Sequence, residues 1–388
     1  MVSLLHSCTW LRGSTNKATM ASSTGKEDGT AAAAEQLGSM SLGESVERRD
    51  TDAPTTKNGT TPTELLCSAC GKKSNALKKC NGCLCVWYCD KECQNKHWKE
   101  HKKECRRIKK ELDKRGGKLN LGTEKDLGPI GKLPPQEECP ICMRVLPLDE
   151  RFSGYAGCCG KTYCCACEFQ HRMKTKVEND KRAQREPPLP PLPRTCPFCR
   201  AAMTECTKEE KLVELRKRVE FKDRHAMRNL AMYYGRGELG LQVDQTKCIE
   251  LLRQSADLGC PSAQCNLGNL HSTGKMGLEQ NENEAVKYWE KAAGGGHILA
   301  RRLLGCIEYR NGNHVAAMRH LRLSASGGCK KSMDGLIICF KKGLLRHGDL
   351  AETLQAMYLA RAEMKSKDRD EYIAYLKWAG KYKEEYDM

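Results

Sequence analysis

No apolar run in the 388-residue sequence approaches the 18 or so residues of a membrane-spanning helix, so no span is expected. The opening "MVSLLHSCTWLRG" holds only a few apolar residues, interrupted by His6, Ser7 and Cys8, too weak a segment for a secretory signal. Without such a signal the 25 cysteines do not read as the disulfide scaffold of a secreted protein, and reduced thiols in cytoplasm or nucleus are expected. Acids are missing from residues 1–25, which carry Arg12 and Lys17. That is a faint match to an organelle transit peptide, set against the plainer reading of a disordered tail, with Met20 as a second start. Large apolar groups are nearly absent from residues 1–63, which are rich in Ser, Thr, Gly and Ala. Such a stretch cannot bury enough surface to offset its ordering entropy, so 1–63 is expected to be a disordered arm.

The formal net charge of +17 is not spread evenly. Sixteen Lys/Arg face six Asp/Glu between Gly71 and Lys118. A basic patch invites nucleic acid or acidic partners, although on a small module it also serves simply as a solvated surface. Neither an RNA-stacking aromatic motif nor a recognition-helix finger is present, which places nucleic-acid binding last among the functions considered.

The chain then turns to cysteine chemistry. Cys67-x2-Cys70, Cys80-x2-Cys83, Cys89-x3-Cys93 and His101-x3-Cys105 supply eight potential ligands, enough for two tetrahedral zinc shells. A Cys-x2-Cys knuckle turns two thiolates toward one point, and a three-residue gap on a helix puts both donors on one face. Disulfides are the alternative, disfavoured in a reducing compartment. The pattern, ending in "YCDKECQNKHWKEHKKEC", resembles a MYND finger over 64–108. In that family the ligands interleave, which implies one zinc on Cys67, Cys70, Cys89 and Cys93 and a second on Cys80, Cys83, His101 and Cys105. Cys85 and His97 are left over, His97 as a surface or packing residue. MYND fingers as a family bind short proline-containing peptides.

A linker over 109–135, ending in "GPIGKLPP", leads to a second cluster at 136–203. Cys139-Pro-Ile-Cys142 opens it, Cys196-Pro-Phe-Cys199-Arg200 closes it, and Cys159, Cys164 and Cys167 lie between. These knuckles resemble a RING domain, with Lys161 at the usual histidine position. A protonated lysine cannot ligate, so the adjacent Cys158 is the expected replacement and His171 a poorer one. The two sets are then Cys139, Cys142, Cys164 and Cys167, and Cys158, Cys159, Cys196 and Cys199, with Cys165 spare. Four zinc ions per chain follow. The RING resemblance implies that Ile141, Pro197 and Arg200 would meet a ubiquitin-conjugating enzyme. Between Cys167 and Cys196 lies "PPLPP"; Pro187, Leu189 and Pro191 fit the Pro-x-Leu-x-Pro pattern MYND fingers recognise. The run is either a stiff spacer in a long loop or a segment that fills this chain's own finger, or a neighbour's.

"TKEEKLVELRKRVEFKD" opens with Thr207 and Glu210 in capping-box spacing, and Leu212, Val213, Leu215 and Val219 mark one face of a connecting helix within 204–222. Beyond it "AMRNLAMYYGRG" at 226, "AQCNLGNLHSTG" at 263 and "ARRLLGCIEYRNG" at 300 recur 37 residues apart, and a degraded copy starts at Ser332. A second helical segment follows each copy, ending in small residues before Gly259, Gly296 and Gly328. A fixed period of two helices is the mark of an α-solenoid, since one pair cannot bury its apolar face alone; an ordinary bundle is the alternative. These units resemble Sel-one-like repeats, and 223–388 is read as such repeats with a C-terminal helix. The six cysteines in this region have no paired spacing and are expected as small buried apolar residues.

The expected architecture is multidomain: a disordered N-terminal arm, two small zinc-stabilised modules and an all-α helical-repeat solenoid. The expected function is a zinc-binding adaptor whose partners are other proteins, including proline-containing peptides, with no membrane partner. A RING-type ubiquitin ligase that recruits substrate through the repeats is the alternative. No catalytic nucleophile is evident, because the clustered cysteines are committed as ligands. Methyltransferases also carry MYND fingers, but the catalytic domain that would surround one is not visible.

Overall fold

A computed structural model describes residues 66–114 except 75, then 127, 130–202 and 207–382. The expected disordered arm, 1–63, lies outside the described residues. The first module is a short antiparallel pair, β1 (Lys78–Lys79) on β2 (Trp87–Tyr88), followed by helix α1 (Lys91–Lys114). The buried residues of α1 are His97, His101, Glu104, Cys105, Ile108 and Leu112, spaced three and four apart as one helical stripe. The helix continues past residue 108, so the linker is shorter than the sequence suggested.

The second module pairs β3 (Ser153–Ala156) with β4 (Lys161–Cys164) and continues into α2 (Cys165–Ala183). The long loop expected between Cys167 and Cys196 is therefore mostly helix. Strong helix formers fill it, and no glycine or proline interrupts it before Pro187. Next comes α3 (Lys208–Glu220), whose capping box is formed in both directions by Thr207 and Glu210. Leu212 and Leu215 are buried and Val219 packs beside them, but Val213 is 49% exposed. One residue on from Leu212 is a rotation of about 100°, which takes Val213 off the apolar stripe.

The repeats are α4 (Arg224–Arg236) with α5 (Gln245–Asp257), α6 (Pro261–Thr273) with α7 (Glu282–Gly294), and α8 (Ile298–Arg310) with α9 (His314–Ser326). Each pair packs closely within itself and then against the next, the stacking order of a solenoid rather than of a bundle. Ala226, Ala263 and Ala300 are fully buried at equivalent positions. The repeated Gly259, Gly296 and Gly328 all have positive φ, at 77°, 91° and 97°. Each turns the second helix of one unit into the first helix of the next, in a conformation that a Cβ disfavours. In the third unit the turn between α8 and α9 shrinks to three residues, yet both helices persist. The degraded fourth copy is α10 (Lys330–Lys341), followed by α11 (His347–Met364) and α12 (Lys367–Trp378). Of the six cysteines in this region, Cys248, Cys260, Cys265, Cys329 and Cys339 are buried as expected; Cys306 is partly exposed.

The modules are not beads on a string. Residues 64–388 form one compact unit. Leu77, Val86, Tyr88, Ile108 and Leu112 of the first module share a single core with Met318, Leu336, Phe340, Leu350, Leu354 and Tyr358. Arg107 pairs with Asp334, and Lys365 with Glu100, across the same seam. The last helices of a solenoid have no further repeat to cover them, and here the first module does so. The end of the linker, residues 130–135, runs along the repeat turns, with Leu133 against Gly327 and Pro134 beside Gly296. Helix α12 then returns to α2, where Phe169 meets Tyr372 and Tyr375.

Candidate metal centres

Four Cys-x2-Cys knuckles share one backbone device. Gly71, Leu84, Met143 and Arg200, each the residue after a knuckle's second cysteine, donate their amides to the carbonyls of Cys67, Cys80, Cys139 and Cys196. All four have positive φ, between 53° and 72°. Three of them are not glycine, so the turn holds them in a conformation that costs an ordinary residue about 1–2 kcal/mol. Such strain persists only where the surroundings over-determine it. Each turn aims two sulfurs at one point. The remaining donors come from α1, where Cys93, His101 and Cys105 lie, from Cys89 just before it, from the β3–β4 turn, and from the start of α2.

The result is four groups of four: Cys67, Cys70, Cys89 and Cys93; Cys80, Cys83, His101 and Cys105; Cys139, Cys142, Cys164 and Cys167; Cys158, Cys159, Cys196 and Cys199. Within each group the ligand atoms all lie within 4.8 Å of one another. Sulfur pairs stand 3.6 Å apart at Cys70–Cys89, 3.7 Å at Cys80–Cys105, 3.9 Å at Cys142–Cys164 and 3.5 Å at Cys158–Cys199. Bonds of about 2.3 Å to a central zinc give a tetrahedron edge of about 3.8 Å. A disulfide needs about 2.05 Å, and the described cysteines are free. Cys83 Sγ and His101 Nε2 are 3.3 Å apart, as expected for a mixed edge with a shorter metal–nitrogen bond.

The electrostatics agree. Cys80 is held far below the usual thiol range by its hydrogen bond with Cys105, and Cys139 by its bond with Cys164. Their neighbours move the other way: Cys164 is pushed up to about 11, chiefly by Cys139, and Cys105 far higher by Cys80. Thiols packed this closely cannot all ionise unless a cation shares their charge, so the donor set fits a divalent soft-tolerant metal such as zinc.

The structure brings together the same four sets that the sequence reading grouped, with Cys158 beside Cys159, Cys196 and Cys199. Lys161 is exposed, with its Nζ over the Phe198 ring. His171 is no ligand; its Nε2 meets Thr195 at 3.1 Å. The leftover His97 is buried and pairs through Nδ1 with the Tyr88 hydroxyl at 3.0 Å. Cys85 Sγ lies 3.2 Å from His347 Nε2, which donates to the Cys83 carbonyl at 2.8 Å.

The candidate partner-binding residues separate. Pro197 is half-buried and Arg200 exposed, but Arg200 also serves as a knuckle residue. Ile141 is partly buried in the second module's core, where Tyr372 of α12 joins it. Pro187, Leu189 and Pro191 are exposed, and the run is stapled to the helix before it. Leu189 N donates to Arg182 O, Arg182 Nε to Pro190 O, and Leu192 N to Asn179 Oδ1. The structure thus holds this run along α2. A proline stretch has carbonyls but few amide donors, and the polar side chains of α2 supply the partners.

A cavity of about 410 Å³ opens between the second module and the repeats, lined in part by Leu146, Tyr155, Leu215, Tyr233 and Ile298. Arg228 pairs there with Glu150.

Comparisons with known proteins fit this anatomy. A family model of the MYND finger matches residues 67–105, and one of the Sel1 repeat matches 224–260 and 261–297. The histone-lysine N-methyltransferase ASHR1 of Arabidopsis thaliana is 46% identical over 57 residues, 14% of this chain and 12% of that protein. Chitin synthase regulatory factor 2 of Schizosaccharomyces pombe is 31% identical over 101 residues, 25% of this chain and 20% of that protein. A Sel1 repeat protein from Oxalobacter formigenes, known from its crystal structure, is 29% identical, with 32% of this chain and 96% of that one covered at a TM-score of 0.30. This chain therefore spans a fifth or less of the length of these two curated relatives. Residues 67–105 are a MYND finger and residues 224–297 are two Sel1 repeats, with a second cysteine-rich module between them that carries two further metal-competent clusters.

Proposed function

We propose that this chain is a zinc-built adaptor between proteins, holding four zinc ions, with the finger taking a short proline-containing peptide and the repeats a second partner. The observation that carries this reading is that every cluster offers four protein ligands. A catalytic zinc keeps a coordination position for water or substrate, whereas a closed shell is structural. The metals then shape surfaces. The cavity between the second module and the repeats, walled by both apolar and polar side chains with a half-buried ion pair, suits a bound segment of the second partner. The relative named a regulatory factor is in keeping with a role that acts through other proteins. The methyltransferase name of the other belongs to a protein of which this chain matches 12%.

Titration calorimetry of the zinc-loaded full chain with a synthetic Pro-x-Leu-x-Pro peptide tests the reading. Saturable binding is expected, lost in Cys70→Ser; no heat at any concentration would contradict it. Leu189→Ala should leave that affinity unchanged, because the proline run is stapled to α2. The ubiquitin-ligase alternative needs Ile141 at a contact surface, and Ile141 is partly buried against the second module's core. Ubiquitin chain formation across a panel of conjugating enzymes, falling on Ile141→Ala, would favour that alternative instead.

A further inference from the structure

We infer that the inner metal centre of the finger is completed from the far end of the chain, with Tyr358 of α11 as the positioning residue for the ligand His101. His101 is fully buried. Its Nε2 lies 3.3 Å from Cys83 Sγ, inside the donor cluster, so a metal there takes the Nε2 lone pair. The ring proton must then sit on Nδ1, and a buried N–H requires an acceptor. Nδ1 lies 3.3 Å from the Tyr358 hydroxyl, 257 residues away in sequence. A ligating histidine whose second nitrogen is held in this way has its tautomer and ring plane fixed, and its basicity raised.

Packing leaves the phenol little freedom to act otherwise. Tyr358 is 4% exposed. Its ring stands edge-on to His97, with centroids 4.2 Å apart and planes at 89°, and edge-on to His101 at 5.8 Å and 83°. His97 stacks on His101 at 5.9 Å. The four rings of Tyr88, His97, His101 and Tyr358 thus form a box, with three walls from the finger and one from the repeats. His347 adds a second tie from the start of α11, to the carbonyl of the ligand Cys83. Metal binding and the seating of α11 each favour the other, and linkage makes that coupling reciprocal. A finger that loses this metal should loosen the end of the solenoid.

The inference rests on the zinc reading of this cluster, and the unmodified chain shows whether that reading holds before any variant is compared. The test follows chelator-driven zinc release from the full chain, together with the absorption spectrum of its cobalt-substituted form. Tyr358→Phe keeps the ring and removes only the acceptor. Loss of an outer-shell partner lowers metal affinity about 10–100-fold, so one of the four zinc equivalents should release correspondingly faster. The cobalt band of the three-sulfur, one-nitrogen site should shift, and the other three equivalents should stay as they were. Gln355→Ala is the control: it removes the bond from Gln355 Nε2 to the Leu66 carbonyl on the same seam without touching His101. It should release zinc as the unmodified protein does. The inference is overturned if Tyr358→Phe releases zinc like the unmodified protein, or if both variants lose it equally, since the helix seam rather than the hydroxyl would then be responsible.

Discussion

Cys83→Ser should empty one zinc site, unfold the finger and loosen the last helices of the repeat array, while the first repeats keep their protection. Cys83 is fully buried, and with Cys80, His101 and Cys105 it forms the inner cluster. A serine hydroxyl stays protonated near neutral pH and replaces a thiolate poorly. Structural zinc contributes on the order of 10–16 kcal/mol in finger peptides, more than the whole stability of many domains. The effect should spread, because the finger's apolar residues share a core with α10 and α11. Amide hydrogen exchange is the suitable measurement. Residues of α10 and α11 should exchange faster in the variant, and those of α4 to α7 should not. Unchanged protection in α10 and α11 would mean that the finger merely rests on the repeats.

The second large effect lies inside the repeats, at the crossing of α6 and α7. Trp289 is 2% exposed, and its Nε1 donates to Asn269 Oδ1 at 3.1 Å. Trp289→Ala should cost about 3–5 kcal/mol, the usual range for truncating a buried aromatic residue. The facing residue, Gly268, leaves no room: a Cβ there would stand 2.6 Å from two atoms of the Trp289 ring and 3.0 Å from the Ala285 carbonyl. Gly268→Ala should therefore destabilise through overpacking of about 1–3 kcal/mol, despite the better helix propensity of alanine. Gly294→Ala meets nothing within 4 Å and lies in a helix, so it should stabilise by about 0.5–1 kcal/mol. Urea unfolding followed by circular dichroism orders the three variants. If Gly268→Ala proves as benign as Gly294→Ala, the close approach of α6 and α7 is wrong.

The ligand sets and the repeat period are legible in the sequence because both are local. A knuckle or a helical turn is decided within a few residues, and the 37-residue recurrence needs only the alanines and glycines where helices meet. The helix of the second module carries a signal too, since residues 165–183 are free of glycine and proline, but the proline run that follows gives the whole stretch the look of a loop. Val213 shows the opposite failure, an apolar residue assigned to a face from which its rotation excludes it. Tyr358, His347 and Arg369 leave no such mark. Arg369 donates to the Val145 carbonyl and lies 3.9 Å from the Cys142 sulfur, and contacts like these, between segments more than 200 residues apart, have no local pattern. They arise because the last helices must cover an apolar face, and the two cysteine modules are what the fold brings there.

Metal stoichiometry tests the account most directly. Native mass spectrometry of the purified full chain, checked by elemental analysis, should return four zinc ions per chain, one for each closed cluster. A count of two, confined to the MYND finger, would leave Cys139, Cys142, Cys164, Cys167 and the set around Cys158 without metal, and would contradict the reading of this protein as a scaffold built on four zinc shells.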